Sequence, residues 1–363
     1  MRVGLVICGD LSFPSGGFLY DRLLVEALRK AWDTVDVISL RWRSCGRGIL
    51  ANLEAPVRAR LLGWDGDLLL QDELAHASLF MLNRTLRRAH RIPLISIVHH
   101  LRTSEGPAGR ACGRFRGVER AYLRTASGFI FNSEATRRSV QELSGERCTG
   151  IVVTPGGDRL GPGLPEGDVL RRADEAGPLR VLFVGNLIPR KGLLTLIAAL
   201  GLLEREQWRL TVIGSPDVDP ACAAQARRAV RERGLQGSVR MCGMVDDEAL
   251  ASELRAHHVL AVPSMYEGFG IVYLEAMGFG VVPVGARTGG AAEVIRDGRS
   301  GCLVPPGDAR ALADTLRRLC EDRGLLRMLA RGALARFREF PGWRETMGTA
   351  CEYLRGLVQG KGG

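Results

Sequence analysis

Lysine is nearly missing from this chain: Lys30, Lys191 and Lys361 are the only lysines among 50 basic residues, and the rest are arginines. Most of the arginines stand singly on presumed helix faces, so the net charge of +10 reads as solvated surface. No compact basic stripe with interleaved aromatics is there to stack on a nucleic acid. Also lacking is any C-x-x-C pair among the nine cysteines, which are scattered from Cys8 to Cys351. That scatter suits reduced thiols used as small hydrophobes and argues against a disulfide framework or a zinc site. No apolar run approaches the roughly 18 residues that span a bilayer. The apolar N-terminus gives way to turn residues after Gly9, too soon for a signal peptide, so a cytoplasmic location is expected. Finally, neither half of the chain opens with G-x-G-x-x-G, which weighs against a nicotinamide dehydrogenase.

What remains is ordinary globular composition, 46% apolar and 25% charged over 363 residues, enough for two domains with separate cores. Short apolar runs at 1–8, 35–40, 68–71, 94–98 and 128–131 alternate with helical periodicity, as in Leu23, Leu24, Ala27 and Leu28. Gly and Pro then crowd between Pro155 and Pro178, and the alternation restarts with runs at 179–184, 210–213, 239–242, 258–262 and 281–284. This pattern predicts an α/β protein of two Rossmann-like, doubly wound parallel sheets. The expected boundaries are 1–160 for the first domain, 161–178 for a linker and 179–340 for the second domain. A final helix within 341–363 is expected to cross back to the first domain. The segment 41–64 mixes Arg41, Arg43, Arg58 and Arg60 with Trp42, Leu50, Leu53 and Trp64. Such a mixture fits a helix packed on its own sheet, and it also fits peripheral contact with an anionic inner membrane face.

The most informative stretch runs from Pro263 to Met277, leaving a buried-type strand and entering a helix at about Ile271. A helix start with unpaired amides and a positive dipole end binds anions, and Gly268 and Gly270 let a ligand approach the backbone. Glu267 and Glu275 bracket this start, so hydroxyl groups on either side of a phosphate are within their reach. A second turn, Gly185 to Gly192, sets Arg190 and Lys191 directly before a helix, where cations and backbone donors jointly hold a diphosphate. In the first half, Gly16 and Gly17 precede a helix, and His99-His100 end the run 94–98. Ligands of open parallel sheets gather at such carboxyl ends. Asp246-Asp247-Glu248 has the look of a metal cluster, but its place before a helix fits N-terminal charge better, and no metal is indicated.

The run E-G-F-G, with seven residues between Glu267 and Glu275, followed by E-A-M-G, resembles the E-x7-E region of the retaining GT-B glycosyltransferases of the GT4 family. The resemblance is close from Leu179 to Asp308 and looser before Gly150. It implies a GT-B fold with an interdomain cleft and metal-independent transfer of a sugar from a nucleoside diphosphate, as a UDP- or GDP-sugar, to an acceptor hydroxyl. By the same resemblance Glu267 meets donor-sugar hydroxyls, Glu275 the nucleotide ribose, and the amides of Gly268, Phe269, Gly270 and Ile271 the diphosphate. Lys191 matches the family's phosphate-binding lysine. Asn186 stands where that family usually has Arg, and Arg190 is the candidate to compensate. Gly16 and Gly17 lie beside the donor, His99 takes the place of the active-site His with His100 as fallback, and Gly243 ends a strand whose loop would cup the base. Catalysis is thus expected from His99, Glu267 and Lys191. Arg102 and Glu105, in a loop long enough to fold over an acceptor, are the acceptor candidates. The donor is the substrate, so no cofactor is implied, and the acceptor is left open, a lipid-linked one included. A GT-B sugar epimerase and a non-catalytic nucleic-acid-binding protein are the alternatives.

Overall fold

The structure, a computed structural model, describes residues 2–31, 34–42, 45–89, 92–105, 112–145 and 148–360. Two compact units emerge: residues 1–155 with 343–363, and residues 156–342. In the first, six strands, β1 (Arg2–Cys8), β2 (Thr34–Leu40), β3 (Leu68–Asp72), β4 (Leu94–Val98), β5 (Gly128–Phe131) and β6 (Gly150–Val152), form one sheet in the order 2-1-3-4-5-6. All of its pairings are parallel. The strands β3, β4 and β5 are buried at every residue, as the unbroken apolar runs require of a sheet covered on both faces. Helix Gly16–Ala31 packs its stripe of Leu24, Val25 and Leu28 inward, and helix Trp343–Gln359 lies beside it, with Trp343 edge-on to Tyr20 at 5.9 Å. Segment 41–64 forms helices Cys45–Ala51 and Ala55–Leu62. Leu61 and Trp64 are buried, whereas Trp42, Leu50 and Leu53 are exposed.

The second unit has its own six-stranded parallel sheet: β7 (Leu179–Val184), β8 (Trp208–Ile213), β9 (Val239–Gly243), β10 (Val259–Val262), β11 (Val282–Ala286) and β12 (Cys302–Val304). Their order is 12-11-10-7-8-9. The chain lays β8 and β9 on one side of β7 and then returns to lay β10 on the other. Strand order therefore reverses between β7 and β10, the place where the loops leaving an open α/β sheet part and make a binding crevice.

Residues 161–178, expected as a linker, contain helix Glu166–Asp174, which belongs to the second unit and buries Val169 and Ala173. Its apolar face is two small residues amid Gly and Pro, too thin to show as periodicity. Arg172 of this helix is buried and donates to the carbonyls of Leu254, Arg255, Phe279 and Gly280 at 2.8–3.2 Å. It thereby satisfies acceptors at the ends of two other helices that would otherwise be orphaned. No helix among the described residues is long and apolar enough to cross a membrane.

Candidate active site

Because β7 and β10 are neighbours, the turns that leave them meet, and Lys191 reaches a residue 76 positions away. Its Nζ donates to Glu267 Oε1 at 2.6 Å, and Ser264 Oγ donates to the same oxygen at 2.6 Å. Arg190 donates to the Tyr266 carbonyl at 2.7 Å and holds a guanidinium nitrogen 3.8 Å from Glu267 Oε2. Burial would raise the Glu267 carboxyl, but Lys191 and then Arg190 outweigh it and hold its pKa at about 2. The two turns are also stitched through backbone, Met265 N–H to the Arg190 carbonyl at 2.8 Å, and the loop after β11 joins them, Gly290 N–H donating to the Glu267 carbonyl at 2.8 Å. Two glycines permit this closeness. A Cβ on Gly192, whose φ is +75°, would sit 2.3 Å from the Pro263 carbonyl oxygen, and one on Gly290 would sit 2.2 Å from that of Gly268.

Glu267 is followed by helix Ile271–Gly278, with Gly270 at its N-cap in the left-handed region, φ +92°. The Phe269 side chain is buried and edge-on to Phe340, so only its backbone is available to a ligand. The amides of Phe269 and Gly270 donate to nothing else among the described residues. Together with Lys191 they supply what a pyrophosphate needs: fixed positive charge and unspent N–H donors. Asn186 lies in the turn after β7, its carbonyl accepting the Ile188 N–H at 2.8 Å. Gly243, at the end of β9 with φ +71°, is two strands away from the Lys191 turn.

Glu275 lies in the second turn of the helix and is 4% exposed. Sequence reasoning missed its partner, Arg159, whose Nε donates to Glu275 Oε1 at 2.7 Å and whose other arm pairs with Asp247. Burial raises the Glu275 carboxyl, and Arg159 offsets part of that rise. The only signal for Arg159 was its position in a Gly-rich turn. Asp246 caps helix Asp247–Ala256 by accepting the Ala249 N–H at 2.8 Å.

In the first unit His99 follows β4 and is buried. Its Nε2 lies 3.0 Å from Asp21 Oδ1, its N–H donates to Glu73 Oε2 at 3.0 Å, and its carbonyl accepts from Asn132 Nδ2 at 2.8 Å. A Cβ on Gly17 would stand 3.0 Å from the His99 ring, so Gly17 and His99 adjoin; Gly16 begins the helix. His100 instead turns to Glu105, with Nε2 2.6 Å from Oε1. The backbone N–H groups of Arg102 and Thr103 are taken by Glu119 at 2.7 and 3.1 Å. Of the loop expected over an acceptor, 106–111 lies outside the described residues. Asp21, Asp72 and His99 each bring one ligand-type atom within 4.8 Å of the others, the one described group with the spacing to hold a metal ion.

Residues 171–336 match the model of the family described as glycosyl transferases group 1. D-inositol 3-phosphate glycosyltransferase of Kineococcus radiotolerans is 31% identical over an alignment of 293 residues that covers 74% of this chain and 67% of that protein. The chain thus spans about two thirds of that relative's length. Among solved structures, sucrose-phosphate synthase from Thermosynechococcus elongatus superposes with a TM-score of 0.82 at 25% identity over 99% of both chains. Anabaena HepE in complex with UDP-glucose superposes with a TM-score of 0.78 at 21% identity over 98% of this chain and 100% of that one. Two parallel Rossmann-like sheets, a lysine-glutamate pair at the switch point of the second, and these likenesses lead to one conclusion: the chain belongs to the group 1 glycosyl transferases and is a sugar-transferring enzyme of GT-B fold.

Proposed function

We propose that this protein is a retaining, metal-independent glycosyltransferase that moves a sugar from a nucleoside-diphosphate sugar to an acceptor hydroxyl. The observation that supports this reading most is the Lys191–Glu267 pair, 2.6 Å long, beside Arg190 and the N-terminus of helix Ile271–Gly278. The costly event in such a transfer is charge growing on the departing diphosphate. Lys191, Arg190 and the amides of Phe269 and Gly270 supply preorganised positive potential for that charge, each such donor contributing on the order of 3 kcal/mol in comparable sites. Glu267, ionised at neutral pH, accepts hydrogen bonds from sugar hydroxyls and keeps Lys191 in place until the diphosphate takes it over. Glu275 receives the ribose, and Gly243 lies near the base. His99, beside Gly17, orients the donor sugar, and Arg102 and Glu105 are assigned to the acceptor.

The complex of HepE with UDP-glucose makes that compound the first donor to try. Thermal unfolding with UDP-, GDP- and ADP-sugars should single out one nucleotide by a rise in Tm, because a ligand that binds only the folded state stabilises it by mass action. With that donor, Lys191→Ala and Glu267→Ala should each lower kcat by roughly 10²-fold or more, and EDTA should leave turnover unchanged. Near-normal rates in both folded variants would remove the assignment.

A further inference from the structure

Three acidic side chains from separate elements converge behind His99: Asp21 from helix Gly16–Ala31, Asp72 at the end of β3, and Glu73 just after it. Asp21 and Asp72 are wholly buried and Glu73 is 4% exposed. Glu73 spends its oxygens on the backbone N–H groups of His99 and His100, at 3.0 and 3.4 Å. Asp72 Oδ1 accepts the Leu74 N–H at 2.6 Å, and Asp21 Oδ1 faces His99 Nε2 at 3.0 Å. That leaves one oxygen on each aspartate, Oδ2 in both, buried and without a hydrogen-bond donor among the described residues.

Two carboxylates so enclosed do not both ionise, and a shared proton is the economical way to satisfy both orphaned oxygens. Burial is the main force raising both acids, to about 7 for Asp21 and well above the ordinary carboxylate range for Asp72; the Asp21 charge adds to the rise of Asp72, and the contact between the two side chains lowers Asp21 while raising Asp72. Asp72 is therefore the member that keeps the proton. The other titratable or charged groups around the pair are Glu73, Tyr20, Tyr122, Cys8 and Arg102.

We propose that Asp21 and Asp72 are positioning residues for His99: Asp72 donates a proton from Oδ2 to Asp21, and Asp21, ionised, accepts the Nε2–H of His99. The ring is thereby fixed with hydrogen on Nε2 and with Nδ1 as an acceptor. The effect on turnover rests on the role given to His99 above; the proton arrangement does not.

The experiment is nitrogen-15 NMR of histidine-labelled full-length protein across pH, on wild type, Asp21→Leu, Asp72→Asn and Asp72→Leu, with His99→Gln to assign the signal. The expected spectrum of wild type at neutral pH shows His99 protonated on Nε2 and bare on Nδ1. Asp72→Asn, which donates to Asp21 as a protonated Asp72 does, should keep that signature, extend it to higher pH and keep turnover within about threefold of wild type. Asp21→Leu and Asp72→Leu should lose the signature, and kcat should fall roughly 10²-fold as the ring drifts from its bound orientation. A wild-type His99 protonated on Nδ1 alone overturns the proposal, as does Asp72→Asn behaving like Asp72→Leu, or stoichiometric zinc in purified protein, which would make the three side chains metal ligands. If His99→Gln retains full turnover while the wild-type signature stands, the role of His99 in transfer fails and the proton pair survives.

Discussion

His258 donates its Nε2–H to the backbone carbonyl of Arg172 at 3.1 Å, while its Nδ1 accepts the N–H of Arg180 at 3.0 Å. Both ring nitrogens are thus committed to the neutral form. Burial first, then the charges of Arg180, Arg323 and Arg172, lower its pKa from 6.5 to about 3. A depressed base favours the fold above its unfolded pKa and loses that contribution as pH falls toward the folded one. His258 should therefore withdraw stability between pH 6.5 and about 3, by up to about 1.4 kcal/mol per pH unit. Other groups titrate in that window, Asp21 with the opposite sign, so the informative quantity is the difference between wild type and His258→Gln. Urea unfolding from pH 7.5 to 4 should show the variant less stable at the top of the range and converging on wild type at the bottom. A constant gap would contradict the assignment.

The Lys191–Glu267 pair gives a prediction independent of any donor. Both partners are largely buried, and removing one strips the other of its nearest opposite charge, with Arg190 compensating Glu267 only in part, so the single variants should cost more than the double. A cycle of Lys191→Met, Glu267→Gln and the double variant at pH 7 should give a coupling of about 1–3 kcal/mol. The pair depends on ionised Glu267, whose pKa is depressed from 4.5 to about 2, so its contribution is whole above pH 4.5 and fades as pH drops toward 2. Additive single effects in chemical denaturation would mean that the pair does not form in solution.

How much of this was legible in the sequence varies with the length of the physical signal. Strands β7 and β5 read out to the residue, because unbroken apolar runs between turn residues have one good interpretation in a parallel sheet. The three-residue strands β6 and β12 escaped notice, since a run that short is indistinguishable from a loop. Lys191 and Glu267 were each marked by local motif, but their meeting depends on β10 inserting next to β7, which no local pattern encodes. Asp21 carries a legible signal. It shares one helix face with Leu24, Val25 and Leu28, and a carboxylate on an apolar stripe needs a buried partner.

Arg172 offers a stability test far from Lys191. Its guanidinium donates to four backbone carbonyls, so Arg172→Met keeps much of the volume while orphaning buried acceptors. Each buried acceptor left unpaired costs about 1–3 kcal/mol, partly relieved where water enters. A loss of about 3–5 kcal/mol overall is expected in chemical denaturation, with donor affinity of the surviving folded fraction unchanged. A loss under about 1 kcal/mol would show that those carbonyls find other donors.

Gly192 connects stability to the proposed chemistry. Its φ of +75° is one that L-residues adopt at a cost of about 1–3 kcal/mol. An added Cβ would also press on the Pro263 carbonyl oxygen at 2.3 Å, which is backbone and has no rotamer to escape by. Gly192→Ala should therefore push apart the two turns that Lys191 and Glu267 bridge, lowering stability by at least that amount and kcat together with it. Gly237→Ala is the control: an added Cβ there meets nothing within 4 Å, so the change should stay within about 0.5 kcal/mol. If Gly192→Ala loses stability yet turns over donor at the wild-type rate below its Tm, the close approach of the two turns serves the fold alone, and the lysine reaches its diphosphate without the help of Glu267.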